Sequence, residues 1–268
     1  MNDTPRLDLL LEAASAAARA AGRHALENRH RRAEIVQRSV HDVKLALDLE
    51  CQRRAEEAIA RAWPEPRILG EEGASGPANR APVWIIDPLD GTVNFLHGMP
   101  LWCSSVAVAQ DGEVLAGAVF VPELNELYTA TREGPAQRNG VAIRVSETPT
   151  VAEAMVLTGL SKHMESNPAA LGFLAAIADR AQKTRVMGAA AVDICHVACG
   201  RADGYYESSI YLWDVAAAGL IARRAGGRTE ILRQFSPVHL QYLCTNGRIH
   251  AELKSLVQQD PRRAEIKS

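Results

Sequence analysis

No stretch of this chain approaches the roughly 20 consecutive apolar residues of a membrane-spanning helix, so no span is expected. There is no surplus of one charge either. Lysine and arginine number 30 against 32 acids, a formal net charge of −2. Surfaces for nucleic acid or anionic lipid usually show as a basic patch or stripe, and neither partner is expected here. The segment Met1 to Asn28 lacks the basic start and unbroken apolar core of a signal peptide. Asp3, Arg6, Asp8, Glu12, Arg19 and Arg23 interrupt its alanines, and it reads as an amphipathic helix of a cytoplasmic protein. Repeats, low-complexity tracts and a linker fit to separate independent units are absent. One domain over 1–268 is expected, with a soft boundary near 146–152.

Cysteine is scarce and odd in number: Cys51, Cys103, Cys195, Cys199 and Cys244. An odd count in a chain this long argues against a disulfide framework. Cys195, His196 and Cys199 suggest zinc, but their spacing matches no standard finger. The surrounding segment, Ala189 to Cys199, is apolar with a helical pattern, so buried core thiols are expected.

What is present is enough for a large core: 268 residues, 47% hydrophobic and 23% charged. Helices are expected over Leu7 to Asn28 and Leu45 to Trp63, the second closed by Pro64 and Pro66. Strands follow at Arg67 to Gly70, Val83 to Ile86, Ser104 to Ala109, Val114 to Phe120 and Glu126 to Thr131. Asp111-Gly112 marks a hairpin turn, and Asn139-Gly140 another before a strand at Ile143 to Val145. The second half alternates: strands at Met155 to Thr158, Arg185 to Met187, Tyr205-Tyr206 and Tyr242 to Thr245. Helices lie between and after them, at Pro168 to Ala181, Ala189 to Cys199, Val215 to Ala225 and Arg248 to Gln258. Two helices precede an antiparallel-leaning sheet, and a second, mixed sheet follows. The fold class is α/β with layered packing.

Acids end three of the apolar runs. Glu71-Glu72 follows Ile68-Leu69-Gly70, Asp87 and Asp90 follow Val83 to Ile86, and Asp214 follows Tyr211-Leu-Trp. Each has an ordinary reading. Asp-Pro and Asp-Gly are turn signals, Glu-Glu-Gly is a solvated turn, and an aspartate before a helix is an N-cap. Together they describe carboxylates delivered to one point by separate loops. Charged groups are rarely buried unless paired or metal-bound, and Mg²⁺ takes such oxygen ligands together with phosphate oxygens.

Gly70-Glu71-Glu72, Asp87-Pro-Leu-Asp90-Gly-Thr92-x-Asn94-Phe95 and Trp213-Asp214-x-Ala-Ala-x-Gly219 resemble the inositol monophosphatase family of Mg²⁺-dependent, lithium-sensitive phosphatases. The resemblance runs from Asp42 to the region of Asn246. It implies a layered αβαβα sandwich and a homodimer. It also implies that Glu71, Asp87, Asp90, Asp214 and the Leu89 carbonyl hold metal, while Glu72 stands beside them. Thr92, held by Asp48, would orient an attacking water activated by metal, and the N–H groups of Gly91 and Thr92 would receive phosphate. Arg185-Val-Met-Gly188-Ala-Ala190 and the segment ending in Glu207 resemble the parts that contact a polyol.

The chain departs from the family pattern in places. His41-Asp42-Val-Lys44-Leu-Ala-Leu-Asp48 lacks the threonines that animal members carry. Lys44 either shields charge near the metals or sits on the surface at a helix start. Ser161-Lys-His-Met164 does not follow the usual inositol-contacting loop, and Arg223-Arg224 stands where an acid is common. The expected activity is hydrolysis of a small polyol phosphate, first inositol 1-phosphate. The alternatives are a 3′(2′),5′-bisphosphate nucleotidase, a fructose-1,6-bisphosphatase or a histidinol-phosphatase, and, in another class, a binding or regulatory protein without turnover.

Overall fold

The computed structural model describes residues 6–38, 43–77, 82–160 and 172–258. It begins with helix α1, Leu7–Glu27, which buries Leu10, Ala13, Ala14, Ala17, Ala18, Ala21, Gly22 and Ala25. That three-and-four spacing makes one apolar stripe, and its small residues let neighbours approach closely. A Cβ on Gly22 would stand 2.8 Å from the ring of Phe120. A short ribbon of β1, Ile35–Arg38, and β2, Val43–Leu45, feeds α2, Ala46–Ala62. The N–H of Leu45 donates to Asp48 Oδ2 at 2.6 Å, so an acid of the first turn caps its own helix.

Eight strands form the first sheet. They are β3 (Arg67–Gly70), β4 (Gly73–Ser75), β5 (Val83–Asp90), β6 (Cys103–Gln110), β7 (Glu113–Val121), β8 (Glu126–Thr131), β9 (Gln137–Arg138) and β10 (Val141–Ala142). Their order is β10-β9-β8-β7-β6-β5-β3-β4, and only β3 with β5 is parallel. Helix α3, Thr92–His97, leaves the end of β5. The second sheet contains β11 (Met155–Thr158), β12 (Lys183–Arg185), β13 (Gly204–Tyr211), β14 (Arg228–Gln234) and β15 (His239–Thr245). Its order is β12-β11-β13-β15-β14, with β11 parallel to both neighbours.

Five layers result. Helices α1 and α2 cover one face of the first sheet. Between the sheets lie α5, Ala190–Ala198, and α6, Leu212–Arg224. Beyond the second sheet lie α4, Gly172–Arg180, and α7, His250–Gln258. The first sheet is buried on both faces, which explains its near-continuous apolar runs. On β7, Ala116, Ala118 and Phe120 face α1, whereas Val119 and Val121 face the middle layer. A Cβ on Gly117 would lie 2.9 Å from Ala217 Cα, so α6 rests directly on this strand.

Several elements differ from the sequence expectation. The Asn139-Gly140 turn, with φ of 51° and 80°, returns the chain at once, so its strand is Val141–Ala142 rather than Ile143 to Val145. The amides of Ile143 and Val145 instead reach the carbonyls of Ala136 and Ala225. Strand β12 sits two residues earlier than Arg185 to Met187, because Met187 and Gly188 turn toward α3. Strands β1, β2, β4, β9 and β14 went unforeseen. The last is a polar edge strand, mostly exposed, with no apolar alternation to mark it. The start of the Pro168 to Ala181 helix, Asp42 and Ser161 to Met164 lie outside the described residues.

Candidate active site

The end of β5 is bulged. Asp87 pairs with Ser105 and Asp90 with Cys103, so three steps on β5 oppose two on β6. Pro88 sits in the bulge, where no ladder N–H is required, and its carbonyl accepts the Ser104 hydroxyl at 2.6 Å. Asp87 Oδ1 accepts the Leu89 N–H at 3.0 Å. Gly91 then takes φ 87°, a left-handed conformation that opens α3. An added Cβ there would meet Ala189 Cβ and the Leu101 carbonyl at 3.0 Å. The strand thus turns both carboxylates and the first amides of α3 into one cavity of about 280 Å³.

Asp214 reaches this point from α6, where its Oδ2 accepts the Tyr211 N–H at 2.9 Å. Oxygens of Asp87, Asp90 and Asp214 lie within 4.8 Å of one another, the one such cluster of metal-ligating side chains among the described residues. Glu71 and Leu89 line the same cavity. Burial is the main force raising the Asp87 carboxyl well above its ordinary pKa, with Glu71, Asp90 and Asp214 adding repulsion. Burial also raises Asp90, to about 6, against the amides of Ala191 and Ala190. These amides donate to its two oxygens at 2.8 and 3.2 Å, so Asp90 caps α5 as well. A cation beside these buried carboxylates would favour their charged forms against the burial and mutual repulsion that raise them. An all-oxygen donor set of this kind fits Mg²⁺.

A second cavity, about 190 Å³, is lined by Gln37, Val43, Lys44, Asp48, Glu71, Glu72 and Thr92. Asp48 and Thr92 meet here, but not in the expected hydrogen bond. The Thr92 hydroxyl donates to the Leu89 carbonyl at 2.9 Å. Asp48 Oδ1 is buried with no hydrogen-bond partner, while burial pushes the carboxyl up to about 8. Lys44 stands just before the Leu45 cap of α2, its side chain one-third exposed, and both expectations for it meet there. It stands on β2 with its ammonium paired to Glu72.

The main cavity is also lined by Gly159, Leu160, Val186, Gly188, Ala190, Glu207 and Tyr211. Glu207 lies just before a bulge in β13 and accepts the Tyr205 hydroxyl. The Ala190 amide is already committed to Asp90, so that residue offers the cavity its methyl rather than a donor. Asn94 stitches the walls together: its Nδ2 donates to the carbonyls of Leu101 and Met187 at 2.7 and 2.8 Å.

The pattern of the inositol monophosphatase family matches residues 6–261. The chain belongs to that family. It is 38% identical over 226 residues to a Xylella fastidiosa protein named Nus factor SuhB, covering 83% of this chain and 80% of that one. A Thermotoga maritima protein named fructose-1,6-bisphosphatase/inositol-1-monophosphatase is 33% identical over 220 residues, covering 81% and 83%. The solved inositol monophosphatase of Anabaena superposes with a TM-score of 0.84 at 30% identity, covering 97% of this chain and 99% of that one. This family member is therefore built as a phosphatase, of a family that generally uses Mg²⁺.

Other features were invisible or misread in the sequence. Asp193 is 1% exposed, lines the main cavity and leaves Oδ1 without a partner. Its one signal was an acid inside the apolar run of α5. Tyr211 walls the cavity, stacked on Trp213 at 5.0 Å and on His239 at 5.1 Å. Arg223 and Arg224 prove structural. Their guanidinium groups donate to the Thr229 hydroxyl and to the carbonyls of Glu133 and Gly134. The five cysteines are free, four of them buried, with Cys195 held far from ionisation by burial.

Proposed function

We propose that this protein hydrolyses a small polyol phosphate, first among them inositol 1-phosphate, to the polyol and inorganic phosphate. The observation that carries this reading is the meeting of Asp87, Asp90 and Asp214 in a cavity whose lining also includes Glu207. Glu71, Asp87, Asp90, Asp214 and the Leu89 carbonyl are the proposed Mg²⁺ ligands. Bound Mg²⁺ would neutralise charge on the phosphate and on the leaving oxygen, and would make an attacking water more acidic.

The chain's own groups do the rest. The N–H groups of Gly91 and Thr92, in the first turn of α3 where the helix supplies no acceptor, receive phosphate oxygens. The Thr92 hydroxyl turns from Leu89 toward the water as substrate enters, and Asp48 Oδ1 accepts from that hydroxyl. Gly188 and Ala190 bound the space for the ring. Glu207 accepts from vicinal hydroxyls and disfavours a second phosphate, which it would repel. A homodimer in the cytoplasm, inhibited by lithium, belongs to the same reading.

The test is a panel: inositol 1-phosphate, adenosine 3′,5′-bisphosphate, fructose 1,6-bisphosphate and histidinol phosphate, each with Mg²⁺, without it, and with added Li⁺. The expected result is Mg²⁺-dependent phosphate release, with the highest kcat/KM for the polyol monophosphate. A bisphosphate as best substrate would overturn the substrate assignment. No release from any substrate, together with no Mg²⁺ uptake, would instead favour a binding role without turnover. The Nus factor names of several relatives make that outcome worth measuring.

A further inference from the structure

The second cavity carries three carboxylates, Asp48, Glu71 and Glu72, and among its described lining residues a single cation, Lys44. Glu72 is placed firmly. Its N–H is held by Gln52 Oε1 at 3.0 Å, and the same amide group grips the Gly73 carbonyl at 3.2 Å. This clamp fits because residue 70 has no side chain, since a Cβ on Gly70 would collide with Gln52. The Glu72 side chain keeps only 6% of its surface in contact with solvent. A carboxylate so desolvated needs a counter-ion at hand. Lys44 supplies it from the next layer of chain: β2 pairs Lys44 with Gln37, and Val43 and Leu45 point inward on the opposite face. The ammonium favours ionisation of Asp48 too, against the repulsion of Glu72 and Glu71.

We propose that Lys44 is a built-in cation of the catalytic centre. Its ammonium holds Glu72 and fills the electrostatic place, beside Glu71 and Thr92, that a loosely held metal ion would otherwise take. The chain therefore draws less Mg²⁺ into its centre than the same carboxylates would without the lysine. A tethered charge acts at full occupancy at any metal concentration, whereas a weak ion site fills only by mass action. Removing the ammonium leaves Glu72 buried and uncompensated, and Mg²⁺ from solvent is the available replacement.

This inference rests on the magnesium-phosphatase reading, and calorimetric titration of the full, metal-stripped chain with Mg²⁺ separates the two. Lys44→Met should gain Mg²⁺ binding, as one added ion per chain or as a tightening of roughly three- to thirtyfold, the scale of one unit charge close to a divalent ion in a partly screened site. Lys44→Gln, closer to lysine in polarity, gives the same reading should the methionine variant fold poorly. Lys44→Arg should titrate like wild type. The double variant Lys44→Met/Glu72→Gln should return toward wild type, because the carboxylate that called for the extra ion is gone. A general packing role for Lys44 would not produce that reversal. Superimposable isotherms for wild type and the neutral variants, with Asp87→Asn losing Mg²⁺, would overturn the Lys44 assignment alone. A wild type that takes up no Mg²⁺ would overturn the magnesium reading and this inference together.

Discussion

One wall of the main cavity comes from the short segment Asp87 to Thr92, where a bulged strand end turns into α3. Asp214 and Glu71 join it from two other elements. A second wall draws Gly159 and Leu160 from the end of β11, Val186 and Gly188 from the turn before α5, and Glu207 and Tyr211 from β13. The first wall is charged, with Asp87 and Asp90 buried. The second is largely apolar, with Leu160 and Val186 about half exposed. Chemistry on a phosphate tolerates little displacement, so its groups are fixed by backbone amides: Leu89 on Asp87, Ala190 and Ala191 on Asp90, Tyr211 on Asp214. Selection of the alcohol can be made by any elements that meet across the opening.

If the walls divide the work in this way, variants should divide too. The largest effect belongs to the charged wall. Asp87→Asn or Asp90→Asn should lower kcat on every accepted substrate by more than about 10³-fold, beyond the loss of one oriented donor. Purified variants with near-normal turnover in Mg²⁺ would break the assignment. Thr92→Ala should cost on the order of 10²–10⁴-fold, the scale of one proton-transfer contribution, again whatever the alcohol.

The substrate wall should discriminate. Glu207→Gln should lower kcat/KM for a polyol phosphate by roughly 10- to 100-fold, the value of a hydrogen bond to a charged group. Turnover of p-nitrophenyl phosphate, which has no such hydroxyls, should change little. Equal losses on both would place Glu207 with the chemistry instead. Asn94→Ala tests the stitch between the walls. It leaves the Leu101 and Met187 carbonyls without their donor, and should cost about 1–3 kcal/mol of stability with a modest loss on both kinds of substrate.

The smallest effect is on pH-dependent stability without metal. Asp90, raised to about 6, and Asp48, raised to about 8, hold protons in the fold that the unfolded chain has released. Carboxylates with raised folded pKa values stabilise the fold at low pH. That contribution is lost as pH rises from about 4, the unfolded value, through 6 toward 8. Melting temperatures of the chelated protein should fall across this window, and Mg²⁺ should reverse the fall by compensating the charges. A flat profile would mean that the acids are not confined as the structure has them.

Much of the fold was legible because its signals are local. The stripe of small residues in α1, the Asp111-Gly112 turn with φ of 52° and 80°, and the apolar runs of β6 and β7 each fix one element. Weakly marked elements were lost. Strand β14 exists through its pairing with β15 rather than through any pattern of its own. The charged wall was legible for the same reason as the helices. Asp87, Asp90, Gly91 and Thr92 are close in sequence, and their spacing is the geometry of a bulge followed by a helix start.

By itself the sequence determined the family, the layered α/β class and the acids of the candidate metal site, since these rest on short-range pattern and covalent spacing. Only the tertiary structure decided the rest. It put Lys44 on Glu72, left Asp48 Oδ1 unpartnered, gave the Thr92 hydroxyl to Leu89 and set Asp193 and Tyr211 on the cavity. Each of these depends on side chains distant in sequence arriving at one place. Burial and pairing energies are set by what surrounds a group in space, and a linear pattern does not contain that neighbourhood.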